Sequence, residues 1–245
     1  MKKINYLVFI FFCTSIFSYA QEESSFDSIY YYMENKEYDE ALVQINYNLN
    51  NSNEISIHDI NTLLFNKGFI FEMQDKLDSA IWCYEEVIAS DSMHIPSLNS
   101  LGMLYGDFEL YNEAYSIFYN LIEIDSNLIV PYSNIVYYKG LEGNYEDAIQ
   151  IANEALLLDT DTITTALLLN NLSFAQYNLG LLKQAFKSAT KSLKLLDKNA
   201  YAYRNLGLIL LAQKKNEKAC EKFNISFELG GTEDINFLID ENCNN

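Results

Sequence analysis

The 245-residue sequence predicts an all-α fold: an α-solenoid of stacked helix–turn–helix hairpins with a C-terminal capping helix. Three observations carry this expectation. An alanine returns one hairpin apart, at Ala80, Ala114, Ala148, Ala185 and Ala219, in steps of 34 residues interrupted once by a step of 37. Twelve or thirteen residues before each alanine stands a Leu-Gly-like pair: Lys67-Gly68, Leu101-Gly102, Ile135-Val136, Leu172-Ser173 and Leu206-Gly207. With two prolines and nine glycines, the chain lacks the frequent tight turns of a β-rich fold.

These residue types suit a hairpin. Two helices approach closely only where a small residue faces the partner, as Gly102 and Ala114 would. Leu101, Tyr105, Phe118 and Leu121 recur at three- and four-residue steps and give each helix an apolar stripe. Four residues after each alanine comes an aromatic or a small residue: Tyr84, Phe118, Ala152, Ala189 and Phe223. Ile135-Val136 and Leu172-Ser173 lack the glycine, which predicts slightly more open hairpins there. One hairpin cannot bury both its faces, so a pattern that recurs implies a stack.

Within residues 95–128, the set Leu101-Gly102, Tyr105, Tyr111, Ala114 and Phe118 resembles the tetratricopeptide repeat (TPR), a 34-residue helix–turn–helix unit. The resemblance implies an exported bacterial TPR protein whose first helices line a concave groove and whose second helices form the convex back. It also implies a scaffold or adaptor that binds a protein or an extended peptide in that groove, in the cell envelope. Two other readings stay open: a structural subunit of a homo-oligomer, and a membrane-tethered sensor component.

In chain order, residues 1–20 read as a signal peptide. Lys2 and Lys3 are the positive region, Tyr6 to Phe17 the apolar run, and Ser18-Tyr19-Ala20 the small-residue cleavage site. Cleavage after Ala20 would leave Gln21 first and the protein periplasmic or secreted; the alternative is an uncleaved anchor. Cys13 follows Phe12 and does not look like a lipoprotein attachment site. Residues 21–60 hold a weaker first hairpin (Tyr32, Tyr38, Ala41) and a polar connection from Asn48 to Asn53. Five repeats follow at 61–94, 95–128, 129–162, 166–199 and 200–233, with 163–165 as a short insertion. Asp91-Ser92, Asp125-Ser126 and Asp159-Thr160 supply turn or cap chemistry at the junctions, and Pro96 and Pro131 fall in first turns of helices. Gly230-Gly231 marks a helix stop and Thr232 a cap. Within 234–245, Ile235, Leu238 and Ile239 stripe the capping helix.

The formal net charge of −18 is unevenly spread. Residues 21–182 hold 26 acids against four lysines, a net −22; residues 183–222 hold ten bases against three acids, a net +7. This balance argues against nucleic acid and favours cationic partners. Lys183, Lys187, Lys191, Lys194 and Lys198 fall within an arc of about 80° on one helix. They are either a contact for an anionic surface or an ordinary solvated face.

Counted from each repeat start, the sixth position is Asn66, Ser100, Asn134, Asn171 and Asn205. The ninth is Phe69, Met103, Tyr137, Phe174 and Leu208. A row of amides can hold a peptide backbone through paired donors and acceptors, with the apolar row burying side chains. Alternatively, the asparagines bond within the scaffold and the aromatics pack between repeats. Arg204 is the one basic residue in such a place, too few to grip a terminal carboxylate. Cys220 and Cys243 are expected to pair, with free thiols as the alternative, and Cys83 to be a small buried apolar residue.

His58 and His94 are expected in connections and lack partners at metal-ligand spacing. No H-E-x-x-H, Cys-x-x-Cys, G-x-S-x-G or phosphate-binding glycine loop occurs. The sequence therefore predicts neither an enzyme nor a cofactor or metal site, and no small-molecule substrate.

Overall fold

A computed structural model describes residues 26–51, 55–158, 161–231 and 234–243. The predicted leader 1–20 and the caps proposed at Thr160 and Thr232 lie outside the described residues. The fold is all-α, with thirteen helices and no strand among the described residues. The chain divides into two compact units, Met1–Ile124 and Asp125–Asn245.

The first unit contains three hairpins: α1 (Asp27–Glu34) with α2 (Tyr38–Asn50), α3 (Ile57–Met73) with α4 (Leu77–Ser90), and α5 (Ile95–Asp107) with α6 (Tyr111–Ile124). Ile29, Ala41 and Ile45 of the opening hairpin are buried together with Leu63 and Ile70 of α3. The polar stretch after Asn48 begins inside α2, where the Asn48 side chain donates to the Gln44 carbonyl. Helix α3 starts at Ile57 because Ser56 and Asp59 form a reciprocal capping box. His58 therefore sits in a first turn rather than in a connection. His94 caps α5 through its ring nitrogen, which accepts from the Ser97 N–H.

The second unit contains α7 (Ile129–Glu142) with α8 (Tyr145–Ala155), α9 (Thr162–Asn178) with α10 (Leu182–Leu195), α11 (Ala200–Ala212) with α12 (Asn216–Glu228), and α13 (Ile235–Cys243). Residues 163–165, read as an insertion, lie in the first turn of α9. Asp161 accepts from the N–H groups of Ile163 and Thr164 and so begins the helix earlier. Helix α13 packs on α12 and buries Ile235, with Leu238 and Ile239 beside it. Cys220 on α12 and Cys243 on α13 lie at disulfide distance, Cα–Cα 5.6 Å.

One contact recurs in three of the five repeat hairpins. Where the first helix carries glycine, an aromatic ring of the second helix lies on it. A Cβ at residue 68 would stand 2.7 Å from Tyr84, one at residue 102 would stand 2.7 Å from Phe118, and Phe223 fills the same place over Gly207. Where the first helix carries Val136 or Ser173, the second carries Ala152 or Ala189, and all four are buried. Val136 and Ala152 belong to one buried cluster, so there the larger residue stands on the first helix and the smaller on the second.

The turn between paired helices also repeats. The chain reverses through a left-handed residue at Lys36, Asp75, Glu109, Gly143, Gly180 and Lys214. The N–H of the following residue donates five back: Glu37 to Tyr32, Lys76 to Phe71, Leu110 to Tyr105, Asn144 to Lys139, Leu181 to Gln176 and Lys215 to Leu210. This is the Schellman closure of a helix C-terminus.

Candidate functional site

In the second unit the first helices α7, α9 and α11 pack side by side, neighbour to neighbour. Their sixth-position amides reach back one repeat. Asn171 Nδ2 donates to the Ser133 carbonyl at 3.2 Å and lies 3.4 Å from its hydroxyl; Asn205 Nδ2 donates to Asn170 Oδ1 at 2.9 Å. Each is a sixth-position amide bonded to the fifth-position residue of the preceding repeat. Asn134 is buried at the equivalent place on α7. These amides set the register between successive helices, and those donors face the scaffold. The fifth-position partners Ser133 and Asn170 were not singled out from sequence, although the adjacent polar pairs Ser133-Asn134 and Asn170-Asn171 were visible there.

Arg204 is held rather than offered. Its guanidinium grips the Asp234 carboxylate with Nε at 2.9 and 3.0 Å and with Nη2, and Nη1 donates to Asn205 Oδ1 at 3.2 Å. The pair ties α11 to the chain entering α13. Such two-pronged geometry is the strong form of an ion pair.

The ninth-position row remains partly accessible. Tyr137, Phe174 and Leu208 are half-buried on α7, α9 and α11. Phe174 packs between repeats, its ring 6.3 Å from that of Tyr145 and within 3.3 Å of where a Gly140 Cβ would stand. Tyr137 meets Tyr138 edge-on at 5.0 Å. Tyr132, Tyr177, Tyr201 and Tyr203 are half-buried on the same three helices.

In the first unit, Asn66 and Ser100 are buried, Phe69 is half-buried and Met103 is buried, with Asn99 Nδ2 at 3.5 Å from its sulfur. Sequence reasoning passed over Glu72. Its carboxyl is 1% exposed and accepts from the Tyr84 hydroxyl at 2.9 Å. Burial pushes its pKa up to about 7; the Tyr84 hydrogen bond opposes the shift and the Asp107 charge adds to it. Cys83 is fully buried, and its thiol is pushed up to about 11, chiefly by desolvation.

Lys183, Lys187, Lys191 and Lys194 are exposed on α10, while Lys198 is exposed in the connection beyond its end. Among the described residues, no group of three or more His, Cys, Asp and Glu side chains could hold a metal ion, and no helix is long and apolar enough to cross a membrane.

No protein-family model matches the chain, and no curated protein matches it. Solved structures do. A tetratricopeptide repeat protein from Parabacteroides merdae superimposes with a TM-score of 0.70 at 19% identity, over 87% of this chain and 80% of that one. A thermophilic TPR protein of Thermus thermophilus gives 0.62 at 15% identity, over 74% and 97%. PilW, a type IV pilus biogenesis factor, gives 0.61 at 13% identity, over 69% and 77%. At these identities the likeness speaks to architecture: this chain has the TPR-type α-solenoid fold.

Proposed function

We propose that the protein is an interaction scaffold that binds a partner protein through an extended peptide laid across its first helices. The observation that carries this reading is the row of half-buried aromatic and aliphatic side chains Tyr137, Phe174 and Leu208 on three adjacent helices of one unit. Aromatic rings that keep part of their surface in water supply contact area at low entropic cost when a partner covers them. The asparagines hold the helices that display the row. Solved TPR-type proteins with this architecture support a scaffold rather than a catalyst.

We further propose export to the cell envelope. The leader-like residues 1–20 and a cysteine pair at disulfide distance both suit an oxidising compartment. N-terminal sequencing of the protein recovered from its native host checks this; the expected first residue is Gln21.

Selection of extended peptides from a displayed library tests the binding reading. The wild type is expected to enrich a set of peptides, and Tyr137→Ala/Leu208→Ala to lose them while keeping its helical circular dichroism. Equal enrichment by that variant would overturn the reading.

A further inference from the structure

Two second helices present outward faces of opposite charge and matching spacing. Helix α4 exposes Asp78, Trp82 and Glu86; helix α10 exposes Lys183, Lys187 and Lys191. Both triplets step by four residues, so each lies along one edge of its helix over about 12 Å. Counted from the repeat alanines Ala80 and Ala185, the two sets occupy the same places: two before, two after and six after. Trp82 is 51% exposed, unusual for a tryptophan, and Phe186 on α10 is 38% exposed beside the lysines. Among the described residues, none of Asp78, Glu86, Lys183, Lys187 and Lys191 makes an ion pair within the chain.

We propose that a second copy of this chain docks its α4 face against the α10 lysine face. Laid antiparallel, Lys183 meets Glu86, Lys191 meets Asp78, and the Lys187 ammonium lies over the Trp82 ring, a cation–π contact bracketed by two ion pairs. The charge of the whole chain favours this occupant over an anionic bilayer. A protein of net −18 is repelled by such a surface, yet it carries its own acidic complement: net −22 over residues 21–182 against +7 over 183–222. The two faces are different surfaces, so the acidic α4 face of one copy meets the basic α10 face of another. The inference uses second helices and does not rest on the peptide-binding reading, which uses first helices.

Sedimentation velocity over a concentration series, at about 25 mM and about 500 mM salt, tests it. The wild type is expected to form species larger than a monomer at low salt and to dissociate at high salt. Asp78→Lys/Glu86→Lys and Lys183→Glu/Lys191→Glu are each expected to weaken association at least about tenfold. Mixed in equal amounts, the two variants offer complementary charges at both the native and the reversed pair of faces, and are expected to associate with each other although neither associates alone. All four changes in one chain are expected to restore association. A wild type that stays monomeric at low salt would overturn the proposal. So would assembly indifferent to both reversals, or monomers that bind phosphatidylserine vesicles through the same lysines without self-associating. The changed residues are exposed, and circular dichroism of each variant reports that the fold is kept.

Discussion

The ring of Phe223 occupies the place where a side chain on residue 207 would stand. Gly207 is therefore required by the aromatic that faces it, and the aromatic by the glycine. The second unit carries the opposite solution as well, in Val136 facing Ala152. Overpacking a full contact costs about 1–3 kcal/mol, and emptying one costs about 3–5 kcal/mol for a phenylalanine. Gly207→Val and Phe223→Ala should each destabilise by amounts of that order. The double variant copies Val136/Ala152 and should be more stable than the sum implies, with a coupling of about 1–3 kcal/mol. Urea denaturation of the four proteins measures it; strict additivity would count against the pairing.

Three hairpin turns and the opening one place a side chain where glycine is favoured: Lys36, Asp75, Glu109 and Lys214. A non-glycine residue in this conformation costs about 1 kcal/mol or more. Glu109→Gly and Lys214→Gly should each raise stability, by about 0.5–1 kcal/mol after the greater chain entropy of glycine is set against the relief. Lying far apart in sequence and on different hairpins, they should add. Thermal denaturation of the single and double variants is the check.

Glu72 makes stability depend on pH in the direction opposite to an ion-paired acid. Its pKa rises from an ordinary 4.5 to about 7 in the fold, so between those values the folded chain holds a proton that the unfolded chain releases. Its favourable contribution is complete below about pH 4.5 and is lost as pH rises through 7. The loss amounts to about 3 kcal/mol at 1.36 kcal/mol per pKa unit. Glu72→Gln keeps an acceptor for Tyr84 and removes the titration. The variant should be flatter than wild type between pH 4.5 and 8, and more stable at the upper end. Denaturation midpoints across that range decide it; parallel profiles would contradict the assignment.

The Cys220–Cys243 link and the Arg204–Asp234 pair both hold the chain around α13. Cys220→Ala/Cys243→Ala should lower stability by about 3 kcal/mol, from a closed loop of 23 residues. Hydrogen exchange should quicken first in α13, whose loss uncovers the apolar end formed by Phe223, Ile209 and Leu210. Uniform exchange across α11, α12 and α13 would mean that the link does not hold that helix.

The helical period and the recurring alanines were enough to read the hairpins, because close approach of two helices restricts residue type at both contact points. The left-handed turns were less visible. Lys36, Asp75, Glu109 and Lys214 adopt a shape that their residue type does not favour, and the repeat imposes it. The starts of α3 and α9 depend on Ser56 and Asp161, single caps outside the apolar pattern. At the candidate site, period placed Asn171 and Asn205 on a common face. It could not say which neighbour each amide would bond, since that depends on the offset between successive repeats. Nor did charge counting reveal that Arg204 is matched by Asp234.

The most direct test of the binding account is the footprint of a selected peptide on the protein, mapped by hydrogen exchange. The account predicts slowed exchange along α7, α9 and α11, centred on Tyr137, Phe174 and Leu208, with α8, α10 and α12 unchanged. Protection confined to the second helices, or none at saturating peptide, would contradict it.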